Sequence, residues 1–279
     1  MNSIPEIQIA EGVSIPQLGF GVYQIPPADT QAAVEAALEV GYRHIDTAQM
    51  YGNEQGVGDA VAASDLARGD MFVTSKLNNG FHRRGDALRE AESSVKRLGG
   101  EPMDLFLIHW PLPTTDVDYV ETWKAMVEIR EQGLARAIGV SNFQVPHLER
   151  IIDATGEKPA VNQIEVHPYL TNEAVRAFGS ANGITTEAWS PIAQGAVLND
   201  PVITAIAERV GKSTAQVTLR WHIQLGNVVF PKSVTRARVE ENFQLFDFEL
   251  TDEDVAALSS LNKGLRTGPD PDTFDYIPA

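Results

Sequence analysis

The sequence predicts a closed parallel (β/α)8 barrel of the TIM type, and three observations predict it. Short apolar runs alternate eight times with segments whose apolar residues recur at helical spacing. No Gly/Ser/Pro-rich linker interrupts the alternation, so residues 1–279 are expected to form one domain. The GxGxxG fingerprint that opens a doubly wound dinucleotide-binding sheet is absent after the first strand.

The elements follow in order. Ile7 to Ile15 reads as a β-hairpin turning at Glu11 and Gly12, a cap ahead of the first strand, Leu18 to Val22. Asp29 opens a helix with Val34, Ala37 and Leu38 on one face, and Gly41 ends it. Strand Tyr42 to Thr47, helix Gln55 to Ala63 and strand Met71 to Ser75 come next. A helix carrying Leu88, Ala91, Val95 and Leu98 leads to strand Asp104 to Ile108, and one carrying Val120, Trp123 and Val127 leads to Ala135 to Val140. Pro146 starts the following helix. Strands at Ala160 to Val166, Thr185 to Trp189 and Val228 to Phe230 complete the eight, separated by helices ending near Gly183 and Gly226. The tail from Asn262, rich in Pro, Gly and Asp, reads as irregular.

Composition narrows the chemistry. Thirty-eight acidic residues against 22 basic give a net charge of -16, which repels nucleic acid and anionic membranes and demands local cations for any anionic ligand. Without cysteine there is no disulfide, thiolate zinc site or thiol nucleophile. The six histidines form no HxH or HExxH pair, so no metal is expected. The amino terminus has neither the basic start nor the apolar core of a secretion signal, and no apolar run reaches membrane-span length; a cytoplasmic monomer is the expectation.

In a parallel barrel the carboxyl ends of all strands open on one face, so residues just beyond each strand converge. Asp46 ends the second strand, Lys76 the third and His109 the fourth, while Tyr51 lies on the loop after Asp46. A Tyr with an ordinary pKa of about 10 needs a neighbouring cation to stabilise the tyrosinate left after it gives up its proton, and a Lys nearby lowers its pKa by charge. Asp46 would hold that Lys, and a neutral His would orient a carbonyl oxygen. Each residue alone reads as an ordinary polar group at a strand end; the four together read as an acid/base site. Physics alone leaves a phosphate-binding isomerase barrel as a rival.

The segments HIDTAQMYGNE (44–54), TSKL (74–77), LIHWP (107–111), GVSNF (139–143), VNQIEVHPY (161–169) and FPKSV (230–234), in this order, resemble the aldo-keto reductase superfamily. AWSP at 188–191 is similar to its bacterial 2,5-diketo-gluconate reductase branch. The resemblance implies an NADPH-dependent reductase acting on a small carbonyl compound, an aldehyde, ketone or keto-sugar. Tyr51 would be the general acid, Lys76 and Asp46 would tune it, and His109 would orient the substrate. Ser141, Asn142 and Gln163 would bond the nicotinamide carboxamide, and Trp189, where most of the superfamily has Tyr, would stack on the ring. Gly21, Val22 and Tyr23 would border the cofactor, and Ser190, Pro191, Ile192, Gln194 and Gly195 would follow its pyrophosphate. Lys232, Ser233, Val234 and Arg238 would clamp the 2'-phosphate, with Glu241 and Asn242 on the adenine. Cations at a helix start suit a phosphate on their own account.

Tyr23, Met50, Tyr51, Asn78, His109 and Trp110 are the candidate substrate walls. Asn78 departs from the diketo-gluconate branch, which carries an aromatic there, so one wall is expected to be missing. The reading from another class is a non-catalytic barrel that binds a nucleotide as a redox sensor or docking module; the intact set of four argues against it.

Overall fold

A computed structural model describes residues 4–278. Eight parallel strands form the barrel: β3 (Phe20–Gly21), β4 (His44–Asp46), β5 (Phe72–Leu77), β6 (Met103–Ile108), β7 (Ala135–Ser141), β8 (Val161–Glu165), β9 (Thr185–Trp189) and β10 (Val228–Val229). Each pairs with the next in chain order. The ring closes where Leu18 bridges Val229, through Gly19 N–H to the Val229 carbonyl at 2.7 Å and Val229 N–H to the Gln17 carbonyl at 3.0 Å. Beside this seam Gly21 lies against the next chain segment, where a Cβ would sit 2.7 Å from the Phe230 carbonyl oxygen.

The hairpin, β1 (Glu6–Ala10) and β2 (Val13–Pro16), turns at Gly12 with φ +67°. Its Ile9, Val13 and Ile15 cluster with Phe72, Leu105, Leu107, Ala137, Val161 and Val228 of five barrel strands, of which Phe72, Val161 and Val228 are the first residues of theirs. The hairpin therefore plugs the end opposite the expected site, and the carboxyl-terminal mouth stays open to ligands.

Outside run α1 (Pro27–Val40), α2 (Glu54–Ala63), α3 (Arg84–Arg97), α4 (Tyr119–Glu131), α5 (Val145–Thr155) and α6 (Glu173–Asn182). Two helices, α7 (Pro201–Val210) and α8 (Thr214–Gln224), occupy the interval before β10 where one was expected, and α9 (Arg236–Phe243) and α10 (Asp252–Ser259) follow it. The division had a signal: Asp200 caps Pro201 and Gly211 ends α7 at φ +66°, then Ser213 and Gln216 form a capping box. Thr251 and Asp254 start α10 in the same way. The expected irregular tail is found; no helix or strand is formed beyond Ser259 among the described residues. No helix among them is long and apolar enough to cross a membrane.

Candidate active site

Three strands and one turn deliver the four predicted proton-handling residues to one place. Asp46 is the last residue of β4, Lys76 lies near the end of the wholly buried β5, and His109 directly follows β6. Tyr51 closes a 3-10 turn, Gln49–Tyr51, which Gly52 ends with φ +69°. The Lys76 Nζ, fully buried, donates to Asp46 Oδ1 at 2.8 Å, Asp46 Oδ2 at 2.9 Å, the Thr47 carbonyl at 2.9 Å and the Tyr51 hydroxyl at 3.3 Å. A buried ammonium is tolerated only with such partners. Burial works to lower its pKa, yet the neighbouring acidic groups, Asp46 foremost by its charge and its hydrogen bond, raise it, so Lys76 is a cation.

The expected lowering of the Tyr51 pKa is corrected. Burial of the hydroxyl pushes it up to about 12, and the Lys76 charge offsets this only in part. The desolvation of a would-be tyrosinate outweighs the cation. Tyr51 thus keeps its proton across the neutral range, with Lys76 placed to stabilise the anion once the proton has left. His109 meets the Tyr51 ring edge-on, centroids 5.7 Å apart, and its Nδ1 has no partner among the described residues. Burial, then Lys76 and His82, hold His109 well below its ordinary value and therefore neutral.

The turn carrying Tyr51 is tied down from both sides. Gln49 donates to the Glu90 carbonyl at 3.1 Å and to Ser94 Oγ at 2.9 Å, and accepts from the Asn78 N–H at 2.7 Å. Asn53 donates to the Val22 and Ile25 carbonyls and accepts from Thr47 Oγ1 at 2.9 Å. Both residues stand inside the quoted HIDTAQMYGNE segment, yet neither was singled out; their role lies in bonds to residues distant in sequence.

Strands β7 to β9 join the network. Ser141 Oγ donates to the Gln163 carbonyl at 2.9 Å. Asn142 Nδ2 donates to the His109 carbonyl at 3.0 Å, and Asn142 Oδ1 accepts from Trp189 Nε1 at 2.8 Å. Gln163 Nε2 donates to Asp46 Oδ2 at 2.9 Å and to Glu187 Oε2 at 2.7 Å. The residues expected around the cofactor are therefore bonded to those expected to move the proton. Glu187, fully buried on β9, was missed, because a Glu inside a strand carries no motif of its own.

Just beyond β7 and β9 the backbone is unusual. Asn142, Ser190, Ala193 and Gln194 adopt left-handed φ of +66°, +48°, +49° and +52°. Such residues each cost about 1–3 kcal/mol and gather at ligand sites. His222 Nε2 donates to the Pro191 carbonyl at 3.0 Å and so steadies the turn running through Ile192 to Gly195. In the basic run Arg236 is engaged by Glu39 at 2.6 Å and Glu240 at 3.0 Å. Lys232 and Arg238 are exposed and have no side-chain partner among the described residues. Ser233 is buried and accepts from the Thr235 N–H at 3.2 Å, Val234 is exposed, and Glu241 and Asn242 are half-buried on α9. Two unpaired cations in so acidic a chain fit an anionic group.

On the substrate side, Tyr23 stands exposed with its ring 5.0 Å from that of Tyr51, and Met50 is half-buried in the same turn. Val22 is buried and donates its N–H to the Asp46 carbonyl at 3.1 Å. Asn78 uses its Oδ1 to accept from Gly80 N–H at 2.9 Å, capping a turn. Trp110 is nearly buried because Phe274 of the tail lies on it, centroids 4.2 Å apart. The tail is fastened across the mouth: Glu165 accepts from Thr267 N–H at 2.6 Å and Thr267 Oγ1 at 2.5 Å, and Asn79 Nδ2 donates to the Tyr276 carbonyl at 2.9 Å. Gly268 presses on the Trp189 ring, where a Cβ would come within 2.4 Å.

A family model described as "Aldo/keto reductase family" matches residues 17–263. The chain belongs to that family. Among curated relatives, it is 52% identical to an aldo-keto reductase of Mycolicibacterium smegmatis over 272 residues, 98% of each chain. It is 46% identical over 271 residues to the methylglyoxal reductase DkgA of Escherichia coli, covering 96% of this chain and 97% of that one. Among solved structures, a point mutant of Gox0644 in complex with NADPH superposes with a TM-score of 0.94 at 42% identity, covering 99% of this chain and 100% of that one. For an aldo/keto reductase barrel, Glu187, Gln49, Asn53 and the Thr267–Gly268 latch are the parts of the mouth that sequence reasoning left out.

Proposed function

We propose that this chain, an NADP-dependent oxidoreductase of the aldo/keto reductase family, reduces an aldehyde or ketone to the alcohol, with Tyr51 as the general acid. The observation that carries the reading is the single buried ammonium of Lys76, which contacts both the Asp46 carboxylate and the Tyr51 hydroxyl. NADPH supplies the hydride that reaches the carbonyl carbon. Tyr51 donates its proton to the carbonyl oxygen as negative charge develops there, and Lys76 stabilises the tyrosinate that remains. Asp46 keeps Lys76 charged and in place, and neutral His109 orients the oxygen.

The residues present fit the cofactor. Lys232, Ser233 and Arg238 would take the 2'-phosphate, with Val234 beside them, since the two cations have no side-chain partner among the described residues. Ser141, Asn142 and Gln163 would hold the carboxamide, Trp189 would border the ring with Gly21, Val22 and Tyr23, and Ser190 to Gly195 would follow the pyrophosphate. Glu241 and Asn242 would meet the adenine. The substrate is a small carbonyl compound reached past Tyr23, Met50, Asn78 and Trp110. A 2-oxoaldehyde such as the one named for the Escherichia coli relative, together with keto-sugars such as 2,5-diketo-D-gluconate, heads the test panel. Loss of absorbance at the reduced-nicotinamide band on mixing protein, NADPH and one of these carbonyls is the expected result. A panel with no turnover, on protein that binds NADPH, would leave the nucleotide-binding module as the correct reading.

A further inference from the structure

Gln163 lies between two buried carboxyl groups. Its Nε2 has two N–H bonds, and both point inward, one to Asp46 Oδ2 at 2.9 Å and one to Glu187 Oε2 at 2.7 Å. An amide oxygen turned inward would face the Asp46 carboxylate, which can only accept, so the nitrogen stays inward with Glu187 taking its second N–H, and the oxygen is the one atom left to meet a ligand. We infer that Glu187 is a positioning residue of this site, which locks Gln163 with its nitrogen inward and so presents an acceptor to the carboxamide N–H of the nicotinamide. The inference rests on the proposed placing of the cofactor beside Ser141, Asn142 and Gln163. Asp46 alone leaves the second N–H of Gln163 buried without a partner, which disfavours this orientation and frees the amide to swing a donor toward the mouth.

The charges around Glu187 decide its state. Facing it are His44 and Asp46 from β4, Lys76 from β5 and Gln163 from β8; its neighbour on β10 is the apolar Val228. The one cation, Lys76, contacts both oxygens of Asp46, so the negative charge belongs there and the proton to Glu187. Burial, then repulsion from Asp46, raises Glu187 to about 8. His44, lowered to about 3 mainly by burial, stays neutral, with its Nε2 3.9 Å from Glu187 Oε1. Oε1 has no hydrogen-bond partner among the described residues, a position that costs a carboxylate oxygen more than an oxygen of a neutral acid. Ionising Glu187 adds a carboxylate that pushes the Tyr51 pKa further up, and a weaker acid gives a slower step on the alkaline side.

The test compares Glu187→Gln with Glu187→Leu. Gln keeps an acceptor for Gln163 and cannot ionise; Leu removes the acceptor. Expected results are an NADPH dissociation constant within about twofold of wild type for Glu187→Gln and roughly tenfold weaker for Glu187→Leu. The alkaline limb of kcat/KM near the Glu187 value should disappear in Glu187→Gln. Unfolding adds a readout: an acid raised on folding makes stability fall as pH climbs from about 4.3 toward the folded value, and Glu187→Gln should flatten that slope. Equal affinities for wild type and Glu187→Leu overturn the inference, as does a Glu187→Gln protein that loses affinity like Glu187→Leu. If Glu187→Leu fails to fold, an unchanged alkaline limb in Glu187→Gln overturns it. Wild type that binds NADPH but reduces no carbonyl sinks the proposed reaction instead, while the dissociation constants still judge Glu187.

Discussion

The two sides of the barrel mouth are built differently. Around β4 and β5, Lys76 is fully buried and fixed by four contacts, and the turn carrying Tyr51 is tied to α3 through Gln49. Beyond β10, Lys232 and Arg238 stand exposed without side-chain partners among the described residues. The first side is complete before any ligand arrives, which is what a proton-transfer centre requires, since its groups must not reorganise during reaction. The second has exposed cations which, on the proposed reading, wait for the 2'-phosphate. If this contrast is right, changes on the first side should alter rate, and changes on the second should alter affinity.

The largest effects belong to the closed side. Tyr51→Phe removes the proton and leaves the cofactor contacts alone, so carbonyl reduction should fall by about 10² to 10⁴-fold with NADPH binding intact. A loss below tenfold would move the acid elsewhere. Lys76→Met should be comparably damaging, because Tyr51, already pushed up by burial, then has no cation to draw it back. Removing one partner of a buried pair also costs about 3–5 kcal/mol, so the melting temperature should drop as well. The informative reading is the pH profile of kcat, which must shift with Lys76→Met; an unshifted profile separates Lys76 from Tyr51.

The same contrast explains what could be read from the chain alone. Strand ends are local features: apolar runs place Asp46, Lys76 and His109, and the barrel's geometry brings them together without knowledge of any contact. The sum at Tyr51 was not legible in this way. Whether burial or Lys76 wins depends on packing depth, and sequence distance says nothing of depth. Glu187 was hidden for a similar reason, since its meaning comes from Gln163 lying opposite it on β8 and Asp46 across the barrel. The α7–α8 division was legible in Asp200-Pro201, Gly211 and Ser213 but was absorbed into one expected helix. The tail carries little periodic pattern, and its fastening to Glu165 and Trp110 is wholly tertiary.

On the open side the expected change is smaller and falls on affinity. Arg238 offers a planar fork to a group carrying close to two negative charges, in a chain whose net charge of -16 opposes it. A charge-assisted hydrogen bond of roughly 1.5–3 kcal/mol corresponds to about 10 to 150-fold in affinity. Arg238→Ala should weaken NADPH by that factor, barely affect NADH, and leave kcat at saturating cofactor near wild type. Because the site is exposed, the preference for NADPH should also shrink with salt. Dissociation constants for both cofactors at low and high salt test this; equal weakening of NADPH and NADH would assign Arg238 to the fold or the adenine half and shift the clamp to Lys232 and Ser233.

The smallest effect concerns the tail, which belongs to neither side and crosses between them. Thr267 and Gly268 are held by Glu165 and Trp189, while Phe274 covers Trp110 and Tyr276 reaches Asn79. Burial acts to raise the Glu165 carboxyl, but hydrogen bonds from His167 and Thr267 more than offset it and hold it below its ordinary value. Ending the chain after Lys263 removes Thr267 and leaves Glu165 with His167 and the Asn172 side chain, which bonds its carbonyl, so the barrel itself keeps its strands and helices. What goes is the aromatic cover at the mouth. An aromatic pair contributes about 0.5–1.5 kcal/mol beyond its area, so KM for a small carbonyl should rise roughly two- to tenfold, with kcat changed less. Circular dichroism and steady-state kinetics on the shortened protein decide the matter. A chain that no longer folds makes the tail a structural strap, and a KM that stays put means that Phe274 covers Trp110 without shaping the pocket.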